Sequence, residues 1–144
     1  MYGLKGPALR QRIEECLDML GLLKFARRIM KTYSGGMKRR INLIAGILHK
    51  PRILFLDEPT VGIYVQSRMV ILDYLKELNR TGSTIIYTSH YLGEAQDFCS
   101  RISILDSGRI IAEGRPQELI AGTPGSSDLE GLFLQLTGRH LRDS

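Results

Sequence analysis

Residues 53–60 read Ile53-Leu54-Phe55-Leu56-Asp57-Glu58-Pro59-Thr60, and this stretch decides the fold. Four apolar residues run without alternation, the pattern of a strand buried on both faces of a parallel sheet. Two adjacent carboxylates and a proline then stop it. The same grammar recurs at Thr84-Ile85-Ile86-Tyr87, which runs into Thr88-Ser89-His90. A helix is predicted between them over 66–79, with Ile71, Tyr74, Leu75 and Leu78 inward. A shorter helix over 92–99 leads to a third apolar run, Ile102-Ser103-Ile104-Leu105. The turn Asp106-Ser107-Gly108 joins that run to Arg109-Ile110-Ile111-Ala112 as an antiparallel hairpin. Strand, helix, strand, helix, strand predicts an α/β chain built on a parallel sheet with right-handed crossovers.

Working outward, Ile13, Cys16, Leu17 and Leu20 form the stripe of an amphipathic helix over 8–20, closed by Gly21. A second helix is predicted over 35–49, with Met37, Ile41, Ile44 and Leu48 on one side, Ser34 as its N-cap and Pro51 as its stop. Beyond the hairpin, a Gly-, Pro- and Ser-rich loop over 122–127 precedes a last short helix carrying Leu129, Leu132, Phe133 and Leu136. No internal repeat is visible.

The chain has 144 residues, 43% hydrophobic and 24% charged, which describes a globular chain able to bury a core. No apolar run approaches the roughly 20 residues that crossing a bilayer takes. The first residues lack the basic-then-apolar layout of a secretion signal, so a cytosolic location is expected. Cys16 and Cys99 show no metal-ligand spacing and read as reduced core thiols. The net charge of +5 is unevenly placed: no acid lies between Asp18 and Asp57, where Lys24, Arg27, Arg28, Lys31, Lys38, Arg39, Arg40, Lys50 and Arg52 all fall. That half attracts phosphate, or is simply a solvated basic face; composition does not choose. No recognition-helix or RNA-binding-sheet signature accompanies it, so nucleic acid is not an expected partner.

In an open parallel sheet, ligands bind beyond the carboxyl ends of the strands. Asp57 and Glu58 stand at such an end. One carboxylate there can hold a divalent metal through water while its neighbour orients an attacking water, as phosphoryl transfer requires; equally, Asp57 can cap the turn before Pro59. His90 follows the second strand, where it can donate to a phosphate oxygen or serve a structural role. Ser34-Gly35-Gly36 opens a helix whose first N–H groups are unpaired and carry partial positive charge, an anion-binding arrangement that glycines leave open to close approach. Lys38, Arg39 and Arg40 add to that field or face solvent.

Taken in order, these elements resemble the nucleotide-binding domain of ATP-binding cassette (ABC) transporters. Tyr33-Ser34-Gly35-Gly36-Met37-Lys38-Arg39-Arg40 looks like the family's signature motif, and 53–60 like its Walker B strand with the catalytic glutamate. Val61-Gly62-Ile63-Tyr64 occupies the D-loop, and Thr88-Ser89-His90 the switch-histidine loop. Met37 in place of the usual Gln, with Phe133-Leu134-Gln135-Leu136-Thr137-Gly138-Arg139, is similar to the branch serving drug and antibiotic efflux permeases.

The resemblance implies a partial P-loop NTPase (ABC ATPase) fold. Residues 1–50 would be part of the helical subdomain, 51–122 part of the RecA-like ATPase core, and 123–144 a C-terminal tail helix. It further implies ATP and Mg2+ as cofactors, with Asp57 holding the magnesium shell, Glu58 polarising the attacking water and His90 contacting the γ-phosphate. Ser34, Gly35, Gly36 and Met37 would bind the γ-phosphate of a nucleotide held by a second nucleotide-binding domain. The implied partners are that domain, in an ATP sandwich, and a transmembrane permease, through which the cytoplasmic chain would lie peripherally at the inner face of the cell membrane. Two departures stand out. The sequence has no G-x-x-x-x-G-K-[ST], so the phosphate-cradling loop is absent and the chain reads as a C-terminal portion. Tyr64 stands where the D-loop carries Asp, and a tyrosine cannot reproduce a carboxylate's hydrogen bonds. The resemblance therefore implies either part of an ATPase that drives export or a catalytically inactive fragment binding a partner's nucleotide or a permease. It also implies an exposed hydrophobic strand edge where the P-loop strand would neighbour the sheet.

Overall fold

The computed structural model describes residues 5–138, and these fall into two compact units divided between Thr88 and Ser89. The first contains α1 (Gly6–Met19), α2 (Gly35–Ile47), β1 (Ile53–Asp57), α3 (Val65–Arg80) and β2 (Thr84–Thr88). Single-turn 3-10 helices at Leu23–Phe25 and Met30–Thr32 link α1 to α2. The core of this unit is Cys16 and Leu17 from α1, Leu20, Leu22 and Tyr33 from the segment that follows it, Leu43, Ile44 and Ile47 from α2, Leu54 from β1, and Ile71, Tyr74 and Leu75 from α3. The expected stripes of α1 and α3 are buried, except that Ile13 and Leu78 are only partly so. On α2 the deeply buried stripe is Gly36, Leu43, Ile44 and Ile47; Met37, Ile41 and Leu48 sit at its half-buried margin. Gly21 ends α1 with a φ of 65°, and its N–H donates to the Asp18 carbonyl. A left-handed residue of this kind suits glycine because it has no Cβ to collide with the next carbonyl.

β1 and β2 pair in parallel, Ile53 opposite Thr84 through Asp57 opposite Thr88. A strand and its parallel neighbour joined through a helix is the α/β unit the sequence predicts. The expectation of burial on both faces is corrected: Leu54 is buried, but Ile53 is 56% exposed and Phe55 72%. Ile86 on β2 is 44% exposed, so the face carrying Ile53, Phe55 and Ile86 lacks a covering layer among the described residues. The resemblance implies an exposed strand edge; the feature observed is an exposed sheet face. No helix of the described residues is long and apolar enough to cross a membrane.

The second unit holds α4 (Leu92–Phe98), β3 (Ile102–Asp106), β4 (Arg109–Gly114), α5 (Pro116–Ala121) and α6 (Leu129–Thr137). The parallel sheet was expected to continue into the third strand, but β3 pairs with β4 in a separate antiparallel two-stranded sheet. A local pairing closed by two residues costs little loop entropy. Ser107 and Gly108 have φ of 49° and 77°, both left-handed, as the mirror-image type I turn of a tight hairpin requires. Ile104, Leu129 and Leu132 form this unit's buried cluster, with Leu92, Ala95 and Phe133 packed against it. Asp128 caps α6, its Oδ1 accepting the Gly131 N–H at 2.8 Å. Arg139, the last residue of the efflux-type C-terminal motif, lies outside the described residues.

Candidate functional site

Ser34 is the N-cap of α2, as its sequence position predicts. Its backbone is extended and its Oγ accepts the Met37 N–H at 3.2 Å. Gly35 opens the first turn with nothing within 4 Å of where a Cβ would stand. Gly36 differs: a Cβ there would lie 2.5 Å from Ser67 Oγ and 2.9 Å from Ser67 Cβ. The helix start therefore packs directly on the first turn of α3, and Gly36 is needed for that approach. Lys38 faces solvent, but Arg39 and Arg40 do not serve merely as a solvated field. Arg40 Nη1 donates to the Leu20 carbonyl at 2.8 Å, at the C-terminal end of α1 where the carbonyls carry partial negative charge. Burial pulls the pKa of its guanidinium below the ordinary arginine value.

Asp57 is the last residue of β1, and Glu58 follows it with a φ of 46°. For a non-glycine residue this left-handed geometry costs on the order of 1–2 kcal/mol, so surrounding bonds must hold it. Two sets of bonds do so. The Glu58 N–H donates to the Thr88 carbonyl at 3.1 Å, which extends the β1–β2 ladder by one rung. Arg39 reaches across from α2: Nε donates to the Pro59 carbonyl at 2.9 Å, and Nη2 to the carbonyls of Asp57, at 3.2 Å, and Glu58. Asp57 Oδ1 accepts the Thr88 hydroxyl at 2.5 Å. Thr60 is buried, its hydroxyl 3.1 Å from the Tyr87 hydroxyl.

Asp57, Glu58 and the α2 start from Ser34 to Met37 thus come together within the first unit, linked through Arg39. His90 belongs to the second unit and is exposed. Its ring lies 4.4 Å from that of Tyr91, and the Tyr91 N–H donates to Ser89 Oγ at 3.0 Å. Sequence reading missed Thr88, Ser67 and the role of Arg39. Thr88 is opposite Asp57 in register, so the strand alignment would have found it. Tyr64 is the N-cap of α3, 86% exposed, with no side-chain cap.

Among the described residues no cluster of three metal-ligating side chains occurs. That is compatible with magnesium, which keeps most of its waters and takes one or two carboxylates beside substrate phosphates. Asp57, exposed at the strand end next to Glu58, fits that demand. The capped start of α2 likewise fits an anion, since it presents unpaired N–H groups beside the open space at Gly35.

Comparison with known proteins matches residues 5–61 to the ABC transporter family. The chain is similar to the linearmycin resistance ATP-binding protein LnrL of Bacillus subtilis (strain 168), 47% identical over 130 residues. That match covers 90% of this chain and 42% of the relative. The daunorubicin/doxorubicin resistance ATP-binding protein DrrA of Streptomyces peucetius is 42% identical over 119 residues, covering 83% of this chain and 36% of its own. The chain therefore spans less than half the length of these curated relatives. A solved ATP-binding subunit of an ABC transporter superposes with a TM-score of 0.81 at 25% identity, over 94% of this chain and 57% of that one. Strand-end carboxylates, a capped Ser-Gly-Gly helix start, and kinship in sequence and fold agree: the chain belongs to the ABC transporter family of ATP-binding proteins.

Proposed function

We propose that this chain is the C-terminal part of an ABC exporter's ATP-binding subunit, supplying the hydrolytic carboxylate and the signature face. The observation that carries the reading is the placement of Asp57 and Glu58 at the end of β1, in one unit with the capped α2 start. Glu58 would polarise the attacking water, and Asp57 would hold Mg2+ through the cation's water shell. The bound cation would neutralise charge developing on the phosphoryl oxygens. Ser34, Gly35, Gly36 and Met37 would present N–H groups and a hydroxyl to the γ-phosphate of an ATP held by a second nucleotide-binding domain. His90 would reach that phosphate from the loop after β2. Residues 1–50 would be part of the helical subdomain, 51–122 part of the ATPase core and 123–144 a C-terminal tail. The relatives named for linearmycin and daunorubicin/doxorubicin resistance support a substrate of the antibiotic type; export through a permease, with the subunit on the cytoplasmic side of the membrane, belongs to the same proposal.

These 144 residues contain no G-x-x-x-x-G-K-[ST], which favours a second reading for the chain alone: a signature face without catalysis. Most phosphate contacts would be missing, and the transition-state charge would have too few partners. With Mg2+ and ATP, the isolated chain is expected to release phosphate at the background rate. Turnover by the isolated chain that Glu58→Gln abolishes would overturn this expectation.

A further inference from the structure

We infer that Arg39 is a positioning residue for Glu58, holding the signature helix and the catalytic loop as one rigid piece; the inference rests on the reading of Glu58 as the hydrolytic carboxylate. In an extended strand successive carbonyls alternate in direction. The left-handed φ of 46° at Glu58 breaks that alternation. The carbonyls of Asp57, Glu58 and Pro59 then all accept from one side chain, the guanidinium of Arg39. Only arginine presents a planar fork of donors that can serve three acceptors from two nitrogens; a lysine ammonium is a point charge on a flexible stem.

Those backbone angles set the direction of the Glu58 Cα–Cβ bond, so the clamp determines where the carboxylate starts. Arg39 also lies two residues beyond Met37 on α2, whose first turn carries Ser34, Gly35 and Gly36. A displacement of that helix start when it engages a phosphate would reach Glu58 through one side chain. Arg40, the next residue, points elsewhere, donating to the carbonyls of Leu20 and of Gly36 in its own helix, and supplies a built-in control.

The test uses the full chain labelled with 15N and with 13C at glutamate carboxyls. In Arg39→Gln the amides of Glu58 and Val61 are expected to exchange at least about tenfold faster, beyond any change in global stability. The Glu58 carboxyl resonance is expected to shift in the same variant, and Arg39→Lys to recover only part of both effects. Arg40→Gln should alter overall stability and leave both Glu58 signals in place. Should Arg39→Gln fail to fold, Arg39→Lys against Arg40→Lys gives the same comparison. Unchanged Glu58 exchange and carboxyl resonance, or changes shared equally by the Arg40 variant, would overturn the inference. Failure of the catalytic reading would show separately, as turnover of the chain joined to a G-x-x-x-x-G-K-[ST] segment that is indifferent to Glu58→Gln, with these signals unaffected.

Discussion

The Thr88 hydroxyl donates to Asp57 Oδ1 at 2.5 Å, joining the last residues of two parallel strands that are partners in register. The bond orients a carboxylate that would otherwise rotate freely at an exposed strand end. Thr88→Val keeps the branched shape and removes the donor. It is expected to lower unfolding free energy by about 1 kcal/mol, as loss of a hydrogen bond to a charged but exposed group does. Thr88→Ser should retain most of it. Urea midpoints for the three proteins check this.

Two neighbouring glycines should respond oppositely to the same change. Gly36→Ala forces a Cβ to 2.5 Å from Ser67 Oγ and should cost about 1–3 kcal/mol, the usual range for overpacking. Gly35→Ala meets nothing within 4 Å, and alanine's better helix propensity makes it neutral or slightly stabilising. Adding Ser67→Gly to Gly36→Ala should recover part of the loss. Thermal unfolding of the three variants beside the unaltered chain separates the packing requirement at Gly36 from any role toward phosphate.

These examples show how far the sequence was legible. The capped start of α2, the glycine stop after α1, the carboxylates after β1 and the Ser107-Gly108 hairpin were all readable, because each is specified by chemistry within a few residues. Gly36 against Ser67 and Arg39 against the carbonyls of Asp57 to Pro59 were not, because those partners lie 18 or more positions away. The α5 turn beginning at Pro116 is too short to leave a periodic signal. The exposure of Phe55 was misread for a related reason. An unbroken apolar run says that a strand belongs between two layers, and among the described residues only one layer covers it.

Tyr64 occupies the N-cap of α3 without providing a cap, and its backbone is already extended as a cap requires, φ −63° and ψ 150°. Tyr64→Asp would place a carboxylate oxygen within reach of the first unpaired N–H groups and complement the helix dipole. A gain of about 1 kcal/mol in stability is expected. Because Tyr64 is 86% exposed, little packing is lost in exchange. Denaturant unfolding of the two proteins measures it, and an unchanged midpoint would count against the cap.

The Cys16 thiol is pushed above its ordinary value of 9.0, first by burial, with nearby Arg12 opposing. Burial raises Cys99 as well, with Glu94 adding to the effect. A folded value above the unfolded one means that the native state holds these protons longer. The stabilisation is complete below the unfolded value of about 9 and is lost as pH rises toward and through the folded values. The melting temperature should therefore fall above about pH 9, less steeply in Cys16→Ala. A thiol reagent at neutral pH should modify Cys16, which is fully buried, only as fast as the chain opens.

In the proposed function Glu58 would be the carboxylate of an ATP hydrolysis completed by a phosphate-binding loop from outside these 144 residues. The direct measurement is magnesium-dependent phosphate release by the chain alone and by the chain joined to an N-terminal segment carrying G-x-x-x-x-G-K-[ST]. Background release from the chain alone is predicted, with turnover by the joined protein that Glu58→Gln lowers by about 100-fold or more. Turnover of the joined protein that is indifferent to Glu58→Gln would contradict the account.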